Sequence, residues 1–135
     1  MAHPSTAVVN VSGYSKPIGI AENQFYYYAF WGPDHPNTHQ AAVDGFQNTD
    51  HIELHAARQA IRTAAKQKYS RIIIRCDSRL VYEQIKNSAN FAKSPIEILH
   101  LVESIHAYKK QIIVSVEHNG GGPNNNQSVE IAVTH

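Results

Sequence analysis

The first half of the chain alternates short apolar stretches with turn-forming residues, a pattern that predicts three strands. TAVVNVSGY alternates apolar and polar positions and is expected to end at Gly13. FYYYAFW, residues 25–31, is rich in the aromatic side chains that strands favour. KPIGIAENQ between these two segments is predicted to be a loop because it contains proline and glycine, and THQAAVDGF is predicted to be a weaker third strand.

The middle of the chain changes to a helical period and then to a continuous apolar run. Apolar residues at three- and four-residue spacing predict a helix from Asp50 to Lys68, with Asp50 as its cap and Glu53 completing a capping box. RIIIRC has no polar alternation, which predicts a central strand buried on both faces. RLVYEQIKN then predicts a short helix.

The last third places one more strand between two predicted helices. SPIEILHLVESIHAYKK predicts a helix capped by Ser94, QIIVSVEHN predicts the last strand, and QSVEIAVTH predicts a short final helix. Three hairpin-connected strands followed by alternating helices and strands predict an α/β fold. We therefore expect one domain over residues 1–135, with a mixed five-stranded sheet flanked by helices.

Composition narrows the classes of function. The 12 Lys and Arg residues nearly balance the 11 Asp and Glu residues, so the basic excess typical of proteins that hold nucleic acid through phosphates is missing. A single cysteine excludes an intrachain disulfide and favours the cytoplasm or nucleus. The start of the chain lacks a signal-peptide pattern, and no apolar run is long enough for a membrane span.

Four stretches, in order and with sensible spacing, resemble the eukaryotic type 1 ribonuclease H family: FWGPDHPNT, HIELHAARQAI, RIIIRCDSRLVYEQI and VEHNGGGPNNNQSVEIA. The resemblance covers nearly the whole chain and implies a ribonuclease H-like fold. Family members hydrolyse the RNA strand of RNA–DNA hybrids with two Mg²⁺ ions held by four carboxylates. The resemblance implies that Glu53 and Asp77 stand at two of these carboxylate positions, and that His118 stands at the position of the family's loop histidine.

The other two carboxylate positions depart from the family pattern. Ser12 stands where the first strand should carry an aspartate, and Val129 stands where the last helix should carry an acid, or Ser128 if the loop shifts by one residue. Asn10 lies on the same strand face as Ser12, but about 6–7 Å further along the strand. Rescue by Asn10, or by the unplaced acids Asp44 and Glu130, is not expected.

The charge deficit leads us to expect a ribonuclease H-like pseudoenzyme. Two Mg²⁺ ions repel each other, and two carboxylates offset that repulsion less well than four. We therefore expect no catalytic residue to be active, no resident metal and no cofactor, with Mg²⁺ needed only if residual activity exists. Non-catalytic binding of RNA or RNA–DNA hybrid, and weak metal-dependent ribonuclease H activity, are the alternatives.

An aromatic row favours a protein partner. Alternation along residues 25–31 places Tyr26, Tyr28 and Phe30 on one face of their strand, and an exposed aromatic row marks an interaction surface. We expect a protein–protein interaction module or a homodimer in an RNA-related assembly, with weak nucleic-acid binding and no membrane association. The alternative is that the final helix or a partner loop covers this row.

Other interpretations of the candidate residues stay open at this point. Glu53 fits a capping box as well as an inherited ligand position, and Asp77 or Ser78 fits the cap of the following helix. His118 fits an ordinary surface position. His51 and His55 have the i, i+4 spacing of a transition-metal site, although chance spacing among nine histidines explains this more simply.

Overall fold

The computed structural model describes residues 6–46, 48–87 and 94–119, which form one five-stranded mixed sheet with helices beside it. The elements follow the chain as β1 (Thr6–Gly19), β2 (Glu22–Phe30), β3 (His39–Val43), α1 (Thr49–Lys66), β4 (Arg71–Cys76), α2 (Arg79–Lys86), a 3₁₀ turn (Ile96–Ile98), α3 (Leu99–Tyr108) and β5 (Ile113–His118). The strand order is β3-β2-β1-β4-β5, with β1, β2 and β3 antiparallel and β4 and β5 parallel to β1. The predicted fold class is confirmed. The predicted final helix lies outside the described residues.

The hairpin of β1 and β2 is longer than predicted. Lys16 pairs with Gln24 and Pro17 pairs with Asn23, so the segment predicted as a loop is strand on both sides of a two-residue turn. Proline is tolerated there because β1 pairs with β4 only as far as Val11 and is an edge strand beyond it. The pairing register also shifts next to Pro17.

One face of the sheet is packed against a single layer of helices. Helices α1, α2 and α3 contact one another, and α1 crosses β1, β2 and β4. The small side chains of α1 allow this close packing. The buried residues of the layer alternate along each strand and recur on α1: Ala7, Val9, Val11, Tyr27, Ala29, Ile72, Ile74, Ile52, Ala56, Ala57, Ala60, Ile61 and Ala64. We call this the helix-covered face.

Gly13 of β1 allows the first turn of α1 to pack directly against the strand. A Cβ atom at Gly13 would clash with the Thr49 carbonyl oxygen and would lie 2.9 Å from the Glu53 nitrogen, so only glycine fits at this crossing without a shift. The cap of α1 is Asn48, whose side chain accepts a hydrogen bond from the Asp50 nitrogen. The prediction of Asp50 as the cap is therefore wrong by two residues.

Two further predictions about the second half are corrected. β4 alternates, with Ile72, Ile74 and Cys76 buried and the residues between them less so, because the described helices cover only one face. β4 is an interior strand as predicted, since it pairs with β1 on one side and with β5 on the other. Ser94 donates a hydrogen bond to Gln84 (2.6 Å) and does not cap the helix that follows.

The opposite side of the sheet, which we call the open face, carries half-buried polar and aromatic side chains. Its central members are Asn10, Ser12 and Tyr14 of β1 and Tyr26, Tyr28 and Phe30 of β2. The described helices all lie in the other layer, so none of them packs on this face. Across the described residues we also find no helix with the length and apolar character of a membrane span.

Candidate functional site

Glu53 and Asp77 meet where β4 ends and α2 begins. The Glu53 Oε2 atom accepts hydrogen bonds from the backbone nitrogens of Asp77 (3.0 Å) and Ser78 (2.9 Å). Glu53 is 5% exposed, whereas Asp77 is exposed to solvent. The resemblance therefore identified two carboxylates that the fold brings together, and Glu53 joins α1 to the segment directly before α2.

Burial determines the acidity of Glu53. Desolvation raises the pKa of Glu53 to about 7, although the hydrogen bond from the Ser78 nitrogen opposes this, and the negative charge of Asp77 raises it further. The carboxyl group thus changes charge close to neutral pH. Burial likewise raises the pKa of the adjacent Cys76 thiol to about 12, so this cysteine is not a thiolate nucleophile at neutral pH.

A cavity of about 400 Å³ adjoins Asp77 on the open face, and Glu53 does not line it. Ser12 and Asp77 both line it, as do Asn10, Tyr28 and Asn119. The position that departs from the family pattern therefore lies beside Asp77, as the resemblance implies. Asn10 shares this cavity with Ser12, as their common strand face predicts, but its amide adds no negative charge.

Asn119 orients the Asp77 side chain. Its Nδ2 atom donates a hydrogen bond to Asp77 Oδ1 (2.8 Å), and its backbone nitrogen donates to the Cys76 carbonyl oxygen (2.9 Å). Sequence reasoning missed Asn119, although its place at the end of the last predicted strand was an available signal. His118 is the last residue of β5, with its Nε2 atom 3.1 Å from the Asp77 carbonyl oxygen. It is therefore part of the site.

Several open interpretations are resolved by these contacts. The Ser78 hydroxyl caps α2 by accepting a hydrogen bond from the Val81 nitrogen (3.2 Å), so the cap is Ser78 and not Asp77. Glu53 accepts from α2 instead of forming a capping box with Asp50.

The histidine spacing and the unplaced acids do not add to the site. His55 packs between the rings of Tyr27 and Phe46, with centroids 5.2 and 5.5 Å away, and burial lowers its pKa. His51 and Asp44 line a separate cavity that does not include Asp77. Among the described residues no group of three or more His, Cys, Asp or Glu side chains is placed to hold a metal. Ser128, Val129 and Glu130 lie outside the described residues.

The chemistry of the donors fits one Mg²⁺ ion better than two. Mg²⁺ keeps several waters and is commonly bound by one or two carboxylates together with substrate phosphates. Glu53 and Asp77 supply two carboxylates at one edge, and each has one oxygen engaged in the hydrogen bonds described above. The described residues therefore offer at most two carboxylates to one ion shared with a substrate phosphate, and they do not form a cage for a pair.

The chain is similar to proteins of a known family and to several solved structures. A family profile described as reverse transcriptase-like matches residues 38–134. The foamy virus ribonuclease H domain solved in solution is 18% identical, with a TM-score of 0.66 and coverage of 93% of this chain and 86% of that one. An N-terminal ribonuclease H domain from Mycobacterium tuberculosis, fused to maltose-binding protein, is 19% identical, with a TM-score of 0.61 and coverage of 90% and 91%.

A third structure contains nucleic acid. The foamy viral protease–reverse transcriptase in complex with an RNA/DNA hybrid is 15% identical, with a TM-score of 0.61, and the match covers 93% of this chain and 19% of that one. No curated protein sequence matches the chain.

These matches confirm the ribonuclease H-like fold and contradict the expectation that the chain is not an enzyme. The finding that contradicts it is the match of residues 38–134 to the reverse transcriptase-like profile, and ribonuclease H domains share the fold. The expectation was wrong because it treated the loss of two carboxylates as enough to abolish activity. A single ion needs fewer acids than a pair, and one of the two departing positions lies outside the described residues.

Proposed function

The chain belongs to the reverse transcriptase-like family, and from this membership we propose that it is a divalent-metal-dependent ribonuclease of the ribonuclease H type. One observation carries the proposal: the fold brings the Glu53 carboxylate onto the backbone of Asp77, whose own side chain lines an open cavity. The likeness to the eukaryotic type 1 branch, and descent from a site with four carboxylates, are finer parts of the same proposal.

Each residue of the site has a distinct task in this proposal. A bound Mg²⁺ ion would supply electrostatic stabilisation of the negative charge that develops on the phosphate. The exposed Asp77 carboxylate and the buried Glu53 carboxylate would hold that ion. Asn119 keeps Asp77 in one orientation, and the Ser12 hydroxyl presents a neutral hydrogen-bonding group on the cavity wall. With two carboxylates in place of four, we expect slow hydrolysis.

The proposal is tested by incubating the protein with a 5′-labelled RNA, free and paired with DNA, in Mg²⁺, in Mn²⁺ and in EDTA. We expect products in either metal and none in EDTA. Asp77→Asn should lower the rate at least a hundredfold, because it removes the exposed anionic ligand. Glu83→Gln is the matched control, since Glu83 is an exposed acid on α2 that pairs with Arg79. Equal rates for wild type and Asp77→Asn would refute the proposal.

The protein partner or homodimer stays a prediction, as does cytoplasmic or nuclear localisation. The observation that favours a protein contact is the tip of the β1–β2 hairpin, where Ile20 is 98% and Ile18 59% exposed. Light scattering of wild type and of an Ile18→Ser, Ile20→Ser variant tests for a homodimer. A dimeric wild type that becomes monomeric in the variant supports the prediction, and a monomeric wild type removes the homodimer.

A further inference from the structure

The cavity beside Asp77 has an aromatic wall. Tyr28 and Phe30 both line it, with ring centroids 6.2 Å apart and planes inclined by 27°. Both residues are half-buried, so each keeps part of its ring accessible on the open face. A planar ring at the entrance of a polar cavity offers a stacking surface to a planar ligand.

Apart from Val11, the remaining lining is polar, and Asp77 is its charged residue. Asn10, Ser12 and Asn119 contribute amide and hydroxyl groups, which both donate and accept hydrogen bonds. Aromatic and amide groups together are suited to a nucleobase.

The stacking surface continues away from the cavity along the same face. Tyr14 and Tyr26 stack with centroids 5.3 Å apart and planes inclined by 13°. The Lys16 ammonium lies 5.8 Å from the Tyr14 centroid and 5.7 Å from the Tyr26 centroid. Two aromatic pairs and one cation therefore line a path that leads to Asp77. We call the four rings the aromatic platform.

This arrangement favours an unpaired strand over a duplex. In a double helix both faces of each base are covered by its neighbours, whereas a single strand can turn its bases onto aromatic side chains. A lysine above the outer pair is positioned to meet a phosphate between stacked bases. The near-neutral charge of the chain also leaves stacking as the larger source of affinity.

We infer that the open face binds single-stranded RNA, with one unpaired base stacked on Tyr28 and Phe30 in the cavity beside Asp77 and a neighbouring base against Tyr14 and Tyr26. The inference rests on the proposed function, which it deepens by naming the form of the substrate. The strand would enter along the aromatic platform and present a phosphate to the carboxylate edge.

Binding without metal tests this inference apart from hydrolysis. Fluorescence anisotropy in EDTA compares a labelled 12-nucleotide RNA, free and as a blunt hybrid with DNA. We expect the free strand to bind at least about fivefold more tightly than the hybrid. Tyr28→Leu should weaken single-strand binding about tenfold, the loss expected for one stacked base. Tyr28→Phe keeps the ring and should bind like wild type.

A matched control comes from the helix layer. Tyr82 on α2 also carries a lysine over its ring, since Lys86 Nζ lies 5.3 Å from the centroid, but it lines neither the cavity nor the platform. Tyr82→Leu should leave single-strand affinity within twofold. Circular dichroism of each variant separates loss of binding from loss of folding.

The inference would be overturned if hybrid is bound as tightly as the free strand, if Tyr28→Leu binds like wild type, or if single-strand binding appears only after deletion of residues 120–135. The last result would assign the face to the chain's own C-terminal segment. A dimer broken by Tyr28→Leu, with no RNA bound by wild type, would assign the face to a second copy instead. Failure of hydrolysis with intact stacking would refute the proposed function and leave this inference standing.

Discussion

The two faces of the sheet differ in what their side chains do, although neighbouring residues of the same strand supply both. Tyr27 points into the helix layer and is 7% exposed, whereas Tyr28 on the next pleat lines the cavity beside Asp77. The helix-covered face is apolar and holds the fold together. The open face mixes amide, hydroxyl and aromatic groups, which suit ligand contact. Period-two alternation thus separates stability from function along a single strand.

The largest difference in stability between the two faces is expected for neighbouring residues of β4. Ile74→Ala should lower the free energy of unfolding by about 2–5 kcal/mol, because Ile74 is fully buried under the helices and its truncation leaves a cavity. Ile73→Ala is the matched control on the open face, where Ile73 is half-buried, and should cost about 1 kcal/mol. Urea denaturation measures both. Equal losses would break the comparison.

Glu53 should produce an effect of about 3 kcal/mol that appears only as pH changes. Its pKa is raised from 4.5 to about 7, so the folded chain keeps a proton that the unfolded chain loses between these values. The stabilisation from the neutral form is complete below pH 4.5, and it is lost as pH rises through about 7. The stability difference between wild type and Glu53→Gln should therefore change across this window.

Chemical denaturation at pH 4, 5, 6, 7 and 8 measures that difference. The exposed Glu83 is the control, and Glu83→Gln should follow the wild-type profile throughout. A constant offset between wild type and Glu53→Gln would show that the Glu53 carboxyl does not titrate in this range.

Gly13→Ala should cost about 2–3 kcal/mol, near the upper end for overpacking, because the new Cβ would press on the Thr49 carbonyl oxygen. Gly19→Ala on the same strand is the matched control, since its nearest contact is the flexible Glu22 side chain at 3.4 Å, and we expect it to cost under about 1 kcal/mol. Thermal melts of the two variants give the comparison. If Gly13→Ala melts like wild type, α1 does not approach β1 as closely as described.

The smallest expected effect concerns the cap of α2. Ser78→Ala should lower stability by about 1 kcal/mol, since it removes the hydroxyl that accepts from the Val81 nitrogen. Ser78→Thr retains an accepting hydroxyl and should recover part of that loss. An unchanged midpoint in urea for Ser78→Ala would return the capping role to Asp77.

The sequence predicted the fold well where periodicity or a motif was strong. RIIIRC and RLVYEQIKN became β4 and α2 near their predicted ends, and Glu53 and Asp77 met as the resemblance implied. The length of the β1–β2 hairpin was underestimated. Pro17 and Gly19 favour turns in isolation, but pairing of β1 with β2 overrides that preference. The intrinsic preference of proline for turns does not reveal whether the proline lies on the unpaired edge of a strand, where it is tolerated.

The contacts that join distant segments could not be predicted. Glu53 satisfied a capping-box pattern locally, yet its carboxylate bonds to backbone groups 24 and 25 residues away. Asn119 and Asp77 are 42 residues apart and meet only because β5 lies next to β4. The expectation of an inactive protein was wrong for a related reason, because acids counted at matching sequence positions leave out the oxygens that a substrate phosphate supplies to a metal.

The most direct test of the account is the rate of RNA hydrolysis in Mn²⁺ at pH 8, where Glu53 is ionised, for wild type and Asp77→Asn side by side. We expect wild type to form RNA cleavage products only when metal is present, and Asp77→Asn to form them at least a hundredfold more slowly. If wild type forms no product in Mn²⁺, or if Asp77→Asn forms product as fast as wild type, the proposed ribonuclease activity is contradicted.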